Sequence, residues 1–458
     1  MSTTDSLRVV LAGWIPAGIL ALALVIGGGG SPAPLPELVL QIAVAALALT
    51  WWWAAPRPLA AAPAALTIAA VLLLLPLVQL IPLPPALWQA LPGRDAARDA
   101  LDLTGHAQDW RPLALAPQRT LAALLAAIPA ALMLLMAGAA DRRGRLRLVA
   151  TLALGGAATM VLGAAQVSGG PAGSLRFYGG GATFLEGFQA NHNSTADVLL
   201  IGMIAAVAWI RERALRRGAP APRAAVLGLA GAVTAVLGLG VVLTASRMGM
   251  ALLPVALIAA ALLLRPWLSW SPRTLGAGLA IVAAAGLIGA LALSRNDMLG
   301  RIGDRFNLTA EQRPDLWADS LYAAKSYFPA GVGMGNFVPA LLANERLEVV
   351  QAAVPNRAHN DYLELLVEAG VAGMAALSIA ATALARALWQ ARRDPPAGSG
   401  AFVVVGGMAL LVLALHSLVD YPLRSMSIAL AAAACAGIAM PLRVARVRQD
   451  QSVRLEDT

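Results

Sequence analysis

Residues 223–264 read RAAVLGLAGAVTAVLGLGVVLTASRMGMALLPVALIAAALLL. Two apolar runs, 223–244 and 248–264, meet across Thr244-Ala245-Ser246-Arg247 with almost no loop. After Arg223, the only charge in the stretch is Arg247. Each run is close to the roughly 18 apolar residues that cross a bilayer as a helix. The strand alternation of a membrane barrel is absent, so only helices can satisfy the backbone inside hydrocarbon.

The same pattern recurs on both sides of this hairpin. By the apolar-run criterion the chain carries about twelve spans. They cover 8–27, 36–54, 60–81, 119–139, 147–167, 194–211, 223–244, 248–264, 274–293, 362–390, 400–418 and 424–442. The expected class is therefore all-α and polytopic, and composition agrees. The 458 residues are 59% hydrophobic and 13% charged, against about a quarter charged in soluble domains. The Pro-rich stretch at Pro82, Pro84 and Pro85 ends the third span. An uncleaved first helix is expected rather than a signal peptide, because further spans follow it.

Short loops rich in Arg set the expected orientation. Arg142, Arg143, Arg145 and Arg147 follow the fourth span, and Arg211, Arg213, Arg216, Arg217 and Arg223 follow the sixth. Arg265 and Arg273, then Arg392 and Arg393, then Arg443, Arg446 and Arg448 continue the series. Every group follows an even-numbered span, which puts both termini in the cytoplasm. The expected domain plan is then 1–293 with nine spans and an outer segment near 82–118, and a large periplasmic loop over 294–361. Three more spans over 362–442 and a cytoplasmic tail over 443–458 complete it. The net charge of +9 reflects these loops. No basic stripe interleaved with aromatics is present, so no nucleic-acid partner is expected. Cys435 is the sole cysteine and offers neither an internal disulfide nor a metal set.

On this topology the unusual polar residues gather at one face. Asn191-His192-Asn193-Ser194 opens the sixth span. Asn193 or Ser194 is placed to cap that helix, and a helix N-terminus also suits an anionic phosphate. Ser246-Arg247-Met248-Gly249 forms the minimal turn, where Arg247 either snorkels to head groups or faces a cavity. Arg313-Pro314-Asp315-Leu316-Trp317 begins a short helix with Pro314 in its first turn. The run Gly331-Val332-Gly333-Met334-Gly335 reads as a tight turn, since it lacks the strand and Lys-Ser/Thr of a phosphate loop. Asn356-Arg357-Ala358-His359-Asn360-Asp361 enters the tenth span, with Asn360 as a cap. His359 carries the one side chain type whose ordinary pKa lies near neutrality, and Glu364 and Glu368 follow as polar-face residues. His416-Ser417-Leu418-Val419-Asp420-Tyr421-Pro422-Leu423-Arg424 makes the last hairpin. The segment from Pro82 to Gln118, with Arg94, Arg98 and Trp110, has no assigned role beyond covering that face.

These motifs resemble the O-antigen ligase and polymerase superfamily of bacterial membrane proteins. The most specific is His359-Asn360, nine residues, then Gly370-Val371-Ala372-Gly373, which fits the family's His-Asn/Ser/Gln-x9-Gly-x-x-Gly pattern. Ser246-Arg247-Met248-Gly249 is similar to its Ser-Arg-Gly-Gly turn, with Met248 departing at a Gly-favoured position. Arg313 ahead of Trp317, Asn191-His192-Asn193, and His416 with Asp420 also look like family motifs.

The resemblance implies a C-type membrane glycosyltransferase fold and a metal-independent, inverting transfer with no cofactor. The implied donor is a saccharide on undecaprenyl pyrophosphate, and the implied acceptor is lipid A-core or another glycan. The implied setting is the periplasmic face of the bacterial inner membrane. Arg247 and Arg313 would hold the pyrophosphate, with Arg357 or Arg424 as auxiliaries. His359 would be the acceptor base or a further phosphate contact. Asn191, Asn193, Ser246, Asn360, His416 and Asp420 would line the substrate. A polymerase using lipid-linked repeat units as acceptor shares every motif. A transporter or flippase of lipid-linked glycan is the alternative of another class, but it would place ionisable groups near the midplane.

Overall fold

The structure, a computed structural model, describes residues 3–30, 34–55, 62–169, 175–178, 184–216, 222–268, 313–350, 354–393 and 400–441. The expected span 274–293 lies outside the described residues. So do Gly179 to Thr183, Arg217, Arg273, the loop up to residue 312 and the tail from 442.

Fifteen α-helices carry the described chain: α1 Thr3–Ile26, α2 Pro34–Ala54, α3 Pro63–Gln79, α4 Pro85–Gln89 and α5 Asp95–Leu103. There follow α6 Pro117–Ala139, α7 Arg142–Ser168, α8 His192–Arg216, α9 Arg223–Leu243 and α10 Arg247–Leu264. The last five are α11 Arg313–Ser326, α12 Phe337–Leu342, α13 Asp361–Arg393, α14 Gly400–His416 and α15 Met426–Ala439. Seven are long and apolar enough to cross a membrane, namely α2, α6, α7, α8, α9, α10 and α13. Shorter apolar helices are found at Val10–Ile26, Pro63–Gln79, Gly400–His416 and Met426–Ala439.

The core is built around α8. Val198, Leu199, Leu200, Ile201, Met203, Ile204 and Val207 are all buried, so this helix is apolar on nearly every face. It packs against α7, α9, α10 and α14, as expected for a helix enclosed by others. Glycines permit the closest approaches. A Cβ on Gly202 would lie 2.8 Å from Gly156 Cα, which puts the α7 and α8 backbones in direct contact. A second group joins α3, α6, α13 and α15.

Segment 82–118 is a small folded unit. Strands β1 (Pro82–Leu83) and β2 (Arg111–Pro112) pair antiparallel and enclose α4 and α5. Trp88 donates its indole N–H to Pro112 O at 2.9 Å. Arg94, 1% exposed, donates to Leu113 O and across to Gly331 O, at 2.7 and 3.2 Å. With no carboxylate among these contacts, burial pushes the Arg94 pKa down to about 10. The unit is therefore pinned to the Gly331 turn.

At the opposite end of the bundle the Arg residues are structural as well as superficial. Arg142 pairs with Glu212. Arg145 is fully buried and donates to Ala140 O at the end of α6 and to Ile438 O and Met440 O at the C-terminus of α15. Sequence counting treats Arg145 as one more loop charge; the fold uses it as a helix cap. Arg145→Met keeps the length and removes every donor. It should lower stability by about 2–4 kcal/mol, read as a thermal midpoint in detergent. An unchanged midpoint would mean those carbonyls find other partners.

Candidate functional site

Helices α8, α10, α13 and α15 begin, and α14 ends, at one end of the bundle. Side-chain contacts tie these ends together. Asn191 accepts from the Asn193 N–H at 2.9 Å, and its carbonyl accepts from Thr195 N. The helix thus starts at His192 with Asn191 as its cap, two to three residues earlier than the expected cap at Asn193 or Ser194. The shift matters, because it releases the Asn193 side chain to donate to Asp420.

Asp420 is the meeting point. It is 2% exposed and takes Asn193 on Oδ2 and the Tyr421 N–H on Oδ1 at 2.9 Å. His359 Nδ1 lies 3.2 Å from Oδ1 in a close charge contact outside hydrogen-bond alignment. Burial works against charging Asp420, but the contact with His359 and the charge of His416 outweigh it. Its carboxyl is held below the usual carboxylate range. His359 itself adopts φ 49°, a left-handed conformation uncommon for a residue with a Cβ. Neighbours fix it there: Trp317 donates to Ala358 O at 3.0 Å, and the Ala358 N–H donates to Glu364 at 3.2 Å. The Tyr421 ring meets the imidazole edge to face at 4.8 Å.

Beside this lies a buried ionic cluster. The Arg424 guanidinium is 3.0 Å from Glu368, 3.3 Å from Glu364 and 3.5 Å from Asp361. Arg357 pairs with Glu364 at 2.8 Å. Burial disfavours the Arg424 charge, but the three carboxylates more than reverse this and raise its pKa. Glu364 and Glu368 are fully buried, which corrects their reading as polar-face residues. Asp361, Glu364 and Glu368 follow helical spacing on one stripe of α13, and that stripe faces inward because Arg424 is there.

Glu368 also organises the glycine turn. Its carboxylate accepts from Gly335 N at 2.8 Å and Phe337 N at 3.3 Å, and its carbonyl from Gly333 N at 2.8 Å. Gly331, Gly333 and Gly335 all have positive φ, so the run is the tight turn the sequence implied. The helix α13 breaks at Gly370, with φ 51° and ψ −137°, because Pro329 O occupies the place a Cβ would take. The first Gly of Gly-x-x-Gly is thus a steric requirement.

The structure also locates the other expected residues. Ser246 is buried and caps α10 by accepting from Gly249 N at 3.1 Å. Its turn packs on the start of α8, with Gly249 against Ala196, which brings Arg247 beside the Asn193 end. Arg313 opens α11 and lies near enough to His416 for their charges to interact. Asn360 caps α13, its side-chain oxygen 3.0 Å from both Tyr362 N and Leu363 N. Ser417 joins α14 to α13 by donating to Asp361 at 2.9 Å and accepting from Asp361 N at 3.0 Å. Asp197, fully buried and bonded to His416 Nδ1 at 2.7 Å, is a residue that sequence reasoning missed. Its signal was a carboxylate six positions into an apolar helix.

Residues 232–378 match the family model described as O-antigen ligase. About a third of the chain is thus similar to the O-antigen ligase family. The matched stretch holds Ser246, Arg247, Arg313, His359 and the Gly370 break. Asn193, Asp197, His416, Asp420 and Arg424 lie outside it and reach the O-antigen ligase region only through the fold. No curated protein matches the chain.

The two ends of the Arg424 cluster should respond differently to substitution. Arg424→Met leaves three carboxylates buried together and should cost about 3–5 kcal/mol, whereas Glu368→Gln keeps the shape and should cost less. Thermal midpoints of the two variants in detergent rank them, and equal losses would contradict this reading of the cluster.

Proposed function

We propose that this membrane protein moves a saccharide from a polyprenyl-pyrophosphate carrier to an acceptor hydroxyl, at the end of the bundle where His359 and Asp420 meet. The family match supports an enzyme of the O-antigen ligase or polymerase type. The observation that carries the residue-level reading is the His359–Asp420 pair. A buried carboxylate beside Nδ1 favours the tautomer with its proton there and leaves Nε2 as the basic nitrogen. That favours the acceptor-base role for His359 over a phosphate contact.

In the proposed reaction the acceptor O–H gives its proton to His359 Nε2 as its oxygen bonds to the sugar C1. The C1–O bond to phosphate breaks, and its electron pair leaves on the pyrophosphate. A developing imidazolium is stabilised by Asp420. The leaving group needs cations and N–H donors. Arg247 and Arg313 fill that need in this reading, at the starts of α10 and α11, where helix N-termini add positive potential. Arg424 and Arg357 serve instead to hold Asp361, Glu364 and Glu368, since their guanidinium groups are already engaged by carboxylates. Asn191, Ser246 and Asn360 act as helix caps that shape the site. The acceptor is a finished glycan terminus for a ligase or a lipid-linked repeat unit for a polymerase, and the site lies on the periplasmic face of the inner membrane.

Purified protein given lipid-linked glycan and acceptor should form product. His359→Ala should reduce transfer by about a hundredfold to ten-thousandfold, the usual worth of a general base, at unchanged protein level. Full activity in that variant would exclude His359 as the base. Arg247→Gln and Arg313→Gln should each lower the rate more than they raise KM, because their interaction grows as charge moves to the leaving group.

A further inference from the structure

Behind Asp420 stands a second acid–imidazole pair. Asp197, on α8, and His416, at the end of α14, are 0% and 1% exposed, and Oδ1 lies 2.7 Å from Nδ1. This contact leaves His416 Nε2 directed at Asp420 Oδ2, 4.0 Å away. Neither His416 Nε2 nor Asp197 Oδ2 has a hydrogen-bond partner among the described residues. The four groups form one row: His359, Asp420, His416, Asp197. Asp420 therefore lies between two imidazoles.

We propose that Asp197 and His416 are positioning residues that set, through Asp420, the pH range over which His359 accepts a proton. The proposal rests on His359 being the acceptor base. Its physical basis is competition for one carboxylate. Asp197 holds His416 in place, with Oδ1 2.7 Å from Nδ1. A charged His416 draws on Asp420 and so weakens the stabilisation that Asp420 gives to a protonated His359. A proton on His416 therefore opposes one on His359, across the carboxylate that lies between them. Other charged groups facing the row are Arg313 at the start of α11, Arg357 next to His359, and Arg247 at the start of α10. The Tyr421 ring packs on His359, and Asp361 is held by Ser417 and Arg424. All of these stay in place in the test.

The experiment is the pH profile of kcat/KM for full-length protein in detergent, with Asp197→Asn and His416→Gln compared with the parent. Both substitutions remove the competing charge, so the acid limb should move up by about one pH unit. A uniform fall in activity with the limb unmoved would overturn the proposal, since a purely structural role does that. If either variant does not fold, the other carries the test. The underlying reading fails separately, through transfer that survives in His359→Ala. In that case the decision passes to imidazole titration by nitrogen NMR. The chain has only 4 histidines, so signals are assignable by substitution. A His359 midpoint unchanged by Asp197→Asn sinks the proposal, and a raised one supports it.

Discussion

A bundle can bury a guanidinium beside carboxylates only if they bond one another, because each ion alone would lose several kcal/mol of hydration. Arg424 meets that condition, and the surrounding architecture follows from it. Asp361, Glu364 and Glu368 must lie on one stripe of α13, which fixes that helix's rotation. Ser417 then meets Asp361, which locks the end of α14 to the start of α13. Glu368 still has lone pairs to satisfy, and the N–H groups of Gly335 and Phe337 supply them. The turn must come so close that only glycine fits at Gly331 and Gly370. One buried cation thereby determines where the loop carrying His359 enters the bundle.

Much of this was legible in the sequence, at the level where one helix or one turn decides the matter. Pro314 in a first turn, Asn360 as a cap, and the three glycines of the 331–335 run each act locally, and each is found as read. The apolar run 223–244 matches α9 nearly to the residue, because helix length in a bilayer is a local property as well. Two of the misses have a common cause. Glu364 and Glu368 look like a solvated face until Arg424, some sixty positions later in sequence, is brought against them. Asp197 looks like an isolated polar residue until His416 arrives from another helix. Partner identity across long separations cannot be read from spacing within one element.

The cap at the start of α8 shows how small a local change can redirect a site. Asn191, Asn193 and Ser194 are all good caps, and sequence alone favours the later two. Use of Asn191 satisfies the first N–H groups and frees Asn193 for Asp420. If Asn193 were the cap, Asp420 would lose a donor and carry more uncompensated charge next to His359. The choice of cap thus reaches the electrostatics of the carboxylate between the two imidazoles.

Helix direction adds a last constraint on what this end of the molecule can bind. Five helices, α8, α10, α11, α13 and α15, start at or near the site, whereas α14 ends there with His416 in its last turn. Helix N-termini carry partial positive charge and free N–H groups, and a C-terminus carries the reverse. The carboxylates Asp361 and Glu364 occupy the first turn of α13, so that pole is already answered within the protein. The starts of α10 and α11 bear Arg247 and Arg313, and α11 also carries Asp315 in its first turn. Of α10, α11 and α13, only α10 starts with an arginine and no carboxylate in its first turn, so its pole keeps the most positive potential of the three. In the reaction we propose, that is the side on which the leaving pyrophosphate would sit, with the acceptor hydroxyl at His359.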